Sequence, residues 1–456
     1  MTATMTSVVR FAALDRWDPP QISGAPASYA WPVVTLGEVA QVRLGVQVPR
    51  KGSTLNGVAR RYLRAMNVRR ADLDLTDVKT MHLAEAQAIE LTLQSGDLLF
   101  VEGSGSVTEV GRVALWDGSI PEVVHQNSVV RARLHDDRLD PEYVITWFNS
   151  RAGNAYIREQ ATTTSGLYHI GAGKLVGAPI PVPPIDIQRQ IVATYRETLQ
   201  RAEEAKRRSA DLTNAAWDRF GSQLIDAPET AAAAGIVTVT RFSALDRWDT
   251  DVTPIGTTSP YPLVRLDAVA DVRLGVQLQR SNTGGQDAPY LRVANVQRGY
   301  LDLTDVKTMN VSADTVARLA LKRHDLLFLE ANSLEEVGRC ARWDGQIPLC
   351  IHQNHVIRAR LGTADLLPEY VEAWFNSPPG GSHVRARART TSGTLYTIPV
   401  SVLATAPVPV PPLEDQTRLI AELQKGIAEA RSVLVDAGRL RKQAETHLIA
   451  ALTSSL

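Results

Sequence analysis

Leu73-Asp-Leu-Thr-Asp-Val-Lys-Thr-Met81 recurs unchanged as Leu301-Asp-Leu-Thr-Asp-Val-Lys-Thr-Met309, and this identity decides how the chain is built. Working outward, Val42-Arg-Leu-Gly-Val-Gln47 returns as Val272 to Gln277, and Phe11-Ala-Ala-Leu-Asp-Arg-Trp-Asp18 as Phe242-Ser-Ala-Leu-Asp-Arg-Trp-Asp249. Downstream, Trp116-Asp-Gly118 is matched by Trp343-Asp-Gly345, and His125-Gln-Asn127 by His352-Gln-Asn354. Trp147-Phe-Asn-Ser150 is matched by Trp374 to Ser377. Order and spacing are both kept, over a period far longer than a solenoid repeat. The 456 residues are therefore one domain-sized unit written twice, a length that suits two or three domains.

Each copy has two parts. The first is β-rich, with short apolar runs such as Asp97-Leu-Leu-Phe-Val101 and Ser128-Val-Val-Arg-Ala-Arg-Leu134 set between glycine-bearing turns. A helix is expected after Pro141-Glu-Tyr143. Each β-rich part ends on a proline block, Pro179–Pro184 or Pro407–Pro412, whose prolines lack backbone donors and hold the chain extended. The second part is a long helix of good formers. In the second copy Ile420, Leu423, Ile427, Ala430, Leu434 and Ala437 keep the three–four spacing of a coiled-coil seam. The first copy is looser, with Ile187, Ile191, Tyr195, Leu199 and Ala202. Such helices would reach about 55 Å at 1.5 Å per residue. The expectation is an α+β chain: β-rich domains at 1–184 and 241–412, long helices at 185–224 and 413–456, and a linker at 225–240. The two helices are expected to pair as an antiparallel coiled coil. Trp17, Trp116, Trp147 and their twins read as core anchors.

Composition narrows the function. Two cysteines, Cys340 and Cys350, exclude a disulfide framework and a four-ligand zinc pattern, and a cytoplasmic setting is expected. No apolar run has membrane-spanning length. Lys+Arg and Asp+Glu both total 49, so the formal charge is zero. A DNA-binding chain is usually basic overall, although a neutral total can hide a basic face.

The ordered series resembles the specificity subunits of type I restriction–modification systems. Trp31-Pro-Val-Val-Thr-Leu-Gly37 and Tyr261-Pro-Leu-Val-Arg-Leu266 look like the family's domain opening. Tyr62-Leu-Arg-Ala-Met-Asn-Val68 and Tyr290-Leu-Arg-Val-Ala-Asn-Val296 look like its arginine–asparagine strand. Gly96-Asp-Leu-Leu-Phe100 (with His324-Asp-Leu-Leu-Phe328), Val110-Gly-Arg112 and Val337-Gly-Arg339 follow, then the proline block and a glutamine entering each helix, Gln188 and Gln416. The resemblance covers nearly the whole chain. It implies two target recognition domains, each reading half of a split double-stranded DNA site, with no catalytic centre and no cofactor in this chain. It also implies two methyltransferase partners that carry S-adenosylmethionine, and restriction or translocase subunits as further partners. Seam residues Ile191, Tyr195, Leu199, Ile420, Leu423, Ile427 and Leu434 are the candidate partner-binding set.

The two copies supply an internal comparison for DNA contact. Positions kept in both build the frame, and positions that differ are where half-sites can be read differently. Arg50-Lys-Gly-Ser-Thr-Leu-Asn-Gly-Val-Ala-Arg-Arg61 faces Arg280-Ser-Asn-Thr-Gly-Gly-Gln-Asp-Ala-Pro289. These loops nominate Arg50, Lys51, Arg60 and Arg61, and Arg280, Asn282 and Gln286. Gly103-Ser-Gly-Ser-Val-Thr108 faces Ala331-Asn-Ser-Leu-Glu335 and nominates Ser104, Ser106 and Thr108, with Asn332 and Ser333. Arginine suits guanine, and asparagine or glutamine suits adenine. Arg43 and Gln47, with Arg273 and Gln277, flank the first of these loops. The hydroxyl-rich Thr163, Thr164 and Ser165, and Thr390, Thr391 and Ser392, suit phosphate contact or turn closure. Arg64, Arg292, Arg112 and Arg339 fit phosphate contact or internal ion pairs.

Catalytic patterns are missing. His352-Gln-Asn-His355 has Ser128 at the matching first-copy position and no third ligand, so no metal is expected. Asp18-Pro-Pro-Gln21 lacks the aromatic of an adenine-methyltransferase loop, and Gly171-Ala-Gly-Lys174 lacks the spacing of a phosphate-binding loop. The competing reading is a coiled-coil scaffold whose β-rich domains bind proteins, which the neutral charge favours. Because the copies are so alike, the half-sites are expected to share bases.

Overall fold

The structure, a computed structural model, describes residues 28–48, 57–164, 166–226, 258–277, 285–392 and 394–453. Trp17, Trp248 and the expected 227–240 linker stretch lie outside them. The chain forms two units. Unit 1 takes Met1–Ala205 together with Val435–Leu456, and unit 2 takes Lys206–Leu434.

In unit 1 the apolar runs become a four-stranded antiparallel sheet in the order Ala40–Leu44, Val129–Leu134, Leu98–Val101, Val113–Leu115. Leu98–Val101 is buried on both faces. One face receives the helix Pro141–Asn149, which starts with proline in its first turn and with Asp140 accepting from the Glu142 N–H. Phe148 meets Phe100 edge-on at 5.3 Å. The other face packs on Trp116 and Val123. Asn149 holds the edge strand in place, accepting from Val113 N (3.1 Å) and donating to Val113 O (2.7 Å). The proline block pairs as the strand Pro179–Pro181 with Val33–Thr35. Its free carbonyls accept from Trp147 Nε1 and the Tyr143 hydroxyl, each at 2.8 Å. A three-stranded sheet runs Val124–His125, Val58–Leu63, Lys79–Leu83, and another runs Thr162–Thr164, Leu167–His169, Gly103–Ser104.

Unit 2 repeats this frame strand for strand: Ala270–Leu274, Val356–Leu361, Leu326–Leu329, Cys340–Arg342 form the four-stranded sheet. Trp343 and Trp374 are buried like Trp116 and Trp147. The repeated Val-Gly-Arg has a steric cause. Gly111 and Gly338 sit at φ 72° and 77°, and a Cβ there would strike Ile157 and Val384 at 2.4 and 2.6 Å. One core exchange is chemical. Where copy 1 has Leu115 and Ile145, copy 2 has Arg342 and Glu372, with the Arg342 N–H donating to Glu372 Oε1 at 2.9 Å. Burial pushes the Glu372 carboxyl up to about 7.

The long helices span Ile185–Ser222 and Leu413–Thr453. In unit 1 the start of the first lies against the end of the second: Ile191, Val192 and Tyr195 share a core with Ala444, Leu448 and Leu452. The Tyr195 hydroxyl donates to Glu445 Oε1 at 2.8 Å. In unit 2 the end of the first meets the start of the second, through Ala216 and Phe220 with Leu419 and Leu423. There Ser209 Oγ donates to Ala430 O at 2.7 Å. The pairing is antiparallel, as the sequence predicts. Each helix leaves its proline block through a fully buried glutamine. Gln188 Nε2 donates to Arg138 O (2.7 Å) and Pro183 O (2.8 Å), and its Oε1 accepts from Asp140 N (2.9 Å). Gln416 does the same with Asp365 O, Pro411 O and Leu367 N. Among the described residues no helix is long and apolar enough to cross a membrane.

Candidate nucleic-acid interface

Two surfaces in each unit collect the polar residues singled out by comparing the copies. The first is the hydroxyl-rich sheet. Antiparallel pairing puts Thr163 opposite Tyr168, and Tyr168 opposite Ser104, so these three side chains form one cross-strand row. Ser106 and Thr108 follow, their hydroxyls 2.8 Å apart. In unit 2 the row is Thr390, Tyr396, Asn332, and the Ser333 N–H donates to Asn332 Oδ1 at 2.8 Å. Ser165 lies outside the described residues, and Thr164, Thr391 and Ser392 contribute backbone to strands.

The second surface is the Val58–Leu63 and Lys79–Leu83 pair. Arg61 is exposed opposite Thr80, and Ala59 lies opposite His82. In unit 2 the matching positions are Pro289 opposite Thr308 and Asp287 opposite Asn310, with Asn310 Nδ2 donating to Asp287 Oδ1 at 3.0 Å. This surface is cationic in copy 1 and carries a carboxylate in copy 2, a contrast that neutral whole-chain charge conceals. Arg60 points the other way, to Glu122 at 3.3 Å. Gln286 is exposed at its strand's start. Arg50, Lys51, Arg280 and Asn282 lie outside the described residues.

The remaining arginines divide by partner. Arg43 and Arg273 make exposed ion pairs with Glu90 (3.1 Å) and Asp271 (2.7 Å), near exposed Gln47 and Gln277. Such pairs contribute little stability and can be traded for phosphate. Arg64 donates to Asp77 O (2.8 Å) and Oδ2 (2.9 Å), and Arg292 to Asp305 O and Oδ2, both at 2.9 Å. Arg112 spans Val68 O (2.7 Å) and Ala65 O (2.9 Å), and Arg339 spans Val296 O and Glu336, both at 2.8 Å. These four brace the turn after each arginine–asparagine strand from within their own unit.

His125 and His352 are fully buried, each with Nδ1 on a backbone carbonyl, Val129 O at 3.0 Å and Val356 O at 2.8 Å. Desolvation lowers both to about 4, so the imidazoles are neutral and Nδ1 is the donor. Their place is the frame. Ile191, Tyr195 and Leu423 are buried among the helix contacts, while Leu199, Ile420, Ile427 and Leu434 are half-buried on the flanks. Among the described residues no cluster of His, Cys, Asp and Glu can hold a metal ion. Sequence reasoning misses Tyr168, Glu102 and His169, and in unit 2 Tyr396 and Glu330, and it weighs His355 only as a metal ligand. The signal for the tyrosines is Leu-Tyr just after the repeated Thr-Ser-Gly, directly in copy 1 and one residue later in copy 2.

No family model matches the sequence. Over 425 residues the chain is 25% identical to the EcoKI type I restriction enzyme specificity subunit of Escherichia coli (strain K12), covering 88% of this chain and 83% of that one. A chain solved in work on complex assembly and conformational transition of the type I R-M system matches with a TM-score of 0.60 at 18% identity. That match covers 94% of this chain and all of the other, and shows a common fold. Along nearly its whole length, this chain is thus similar in sequence to a type I restriction–modification specificity subunit, and it shares the fold of a chain solved in work on the type I R-M system.

Proposed function

We propose that the chain is the non-catalytic DNA-reading subunit of a type I restriction–modification complex, each unit reading one half of a bipartite double-stranded site. Two methyltransferase subunits, carrying S-adenosylmethionine, dock on the long helices and methylate adenine N6; nuclease subunits join where the system has them. The groove of about 340 Å³ between the helical segments of unit 1, lined by Ile187, Thr194, Leu448 and Ala451 among others, is a candidate seat for such a partner. One observation carries the reading: a matching polar row, with serine in one unit and asparagine in the other at its end, stands twice on the same frame, in a chain similar over its length to a specificity subunit. Hydroxyls and backbone donors position phosphate, and the residues that differ specify bases.

Mapping N6-methyladenine across the host genome, with and without this gene, tests it. One split motif is expected to vanish, with half-sites sharing bases. An unchanged methylome favours the protein scaffold instead. In vitro, affinity of the assembled complex for its site is expected to fall about 10³- to 10⁵-fold between 50 and 200 mM salt if 6–10 phosphates are contacted. Methyl transfer by the purified chain alone would overturn the non-catalytic assignment.

A further inference from the structure

Glu102 and its twin Glu330 follow the repeated Asp-Leu-Leu-Phe strand, next to the hydroxyl-rich sheet. Both are half-buried, and each faces an imidazole: Glu102 Oε2 lies 3.4 Å from His169 Nδ1, and Glu330 Oε2 lies 2.7 Å from His355 Nδ1. The two histidines are not twins. His169 ends the strand Leu167–His169, where copy 2 has Thr397. His355 follows His352-Gln-Asn354, where copy 1 has Ser128.

A third difference explains the exchange. Gly103 in copy 1 is Ala331 in copy 2. A Cβ on Gly103 would stand 2.8 Å from His169 Nδ1 and 3.0 Å from its Cε1. With alanine at this position the His169 imidazole would have to shift from where it lies across the strand. Where alanine fills the space, threonine takes the strand position and the imidazole comes from the neighbouring turn. Three positions change together, yet the carboxylate–imidazole pair is restored. Both imidazoles are substantially exposed, 33% and 48% at the side chain, and even full ion pairs so exposed contribute little stability. Stability alone gives no reason to rebuild the pair from a neighbouring turn.

We infer that Glu102–His169 and Glu330–His355 are base-reading pairs: the carboxylate holds Nδ1, and Nε2, on the far side of the ring, exchanges a hydrogen bond with a base edge in the major groove. This deepens the DNA-reading proposal and rests on it. The half-sites agree where Tyr168 and Thr163 match Tyr396 and Thr390, and differ at the base pair the displaced imidazole meets.

The test uses the complex assembled with its methyltransferase subunits, selecting bound sequences from a random duplex library. One variant combines Gly103→Ala, Ser128→His and His169→Thr; the reciprocal combines Ala331→Gly, His355→Ser and Thr397→His. Each is expected to shift preference at one base pair of its own half-site by about tenfold or more, toward that of the other half, leaving other positions alone. Glu102→Gln and Glu330→Gln, which keep side-chain volume, are expected to relax the same base pair and carry the test if a triple variant does not assemble. Variants that bind DNA and select the wild-type half-sites unchanged overturn the pairs' role while DNA reading stands. A wild-type complex that selects no sequence overturns the DNA-reading proposal, and this inference with it.

Discussion

Gln188→Leu is expected to destabilise unit 1 by about 3–5 kcal/mol, and Gln416→Leu to do the same to unit 2. Each glutamine is fully buried and uses its whole amide: two carbonyls accept from Nε2, and one backbone N–H donates to Oε1. Leucine fills a similar volume but leaves three backbone groups without partners: the buried proline carbonyl at about 1–3 kcal/mol, and the two part-buried groups at about 1 kcal/mol each, the low end of that range. Those groups belong to the loop before the Pro141–Asn149 helix and to the proline block, so the loss also loosens the long helix from its β-rich domain. Urea denaturation of the full chain reads the effect. A loss under about 1 kcal/mol at either position would mean that water replaces the amide, and the bracket would not be the tether described.

Acidification is expected to weaken both units through His125 and His352. Their folded values, near 4, lie below the ordinary 6.5. The unfolded chain therefore binds protons that the folded chain refuses, and stability present above pH 6.5 is lost as pH falls toward 4. At pH 5 each histidine contributes a loss of about 2 kcal/mol, or roughly 4–8 °C in Tm for a unit of this size. In unit 2, His383, also lowered by burial to about 4, acts in the same direction. Glu372 opposes it: its carboxyl is raised to about 7, so it costs stability at neutral pH and recovers it on acidification. Glu445, raised by burial, has that same sign in unit 1. Asparagine at 125 can still donate to Val129 O but does not titrate. His125→Asn and His352→Asn should thus flatten the Tm profile between pH 7 and 5, and profiles as steep as wild type would contradict the assignment.

Much of this architecture is legible in the residues. Duplication is a comparison of the chain with itself and needs no knowledge of contacts. Helix pairing is half legible. Leu423, Ala430 and Ala437 are buried as their spacing predicts, but Ile420 and Ile427 sit on the flank. The first helix is buried through Ala202, Ser209 and Ala216. Small residues at sevenfold spacing carry almost no hydropathy signal, so only the partner helix reveals them. The candidate interface is harder to read. Arg112 and Arg64 differ little in sequence setting from a phosphate-binding arginine, because the carbonyls they meet come from elsewhere in the fold. Glu102 and His169 lie 67 residues apart, and their relation becomes visible only when a missing Cβ at Gly103 is set against Ala331.

The division of the chain also has a consequence in time. Unit 2 is one continuous stretch, whereas unit 1 joins its β-rich domain to the far end of the second long helix. As the polypeptide leaves the ribosome, domains tend to fold in the order they emerge. Here the domain made first cannot close first. Ile191, Val192 and Tyr195 stay uncovered until Ala444, Leu448 and Leu452 arrive, by which point every residue of unit 2 has been made. A message broken between the codons for Leu434 and Ala444 would yield a sound second unit and an open first one. The helical turns that carry Ala444, Leu448 and Leu452 thereby act as a check on the closure of the first domain.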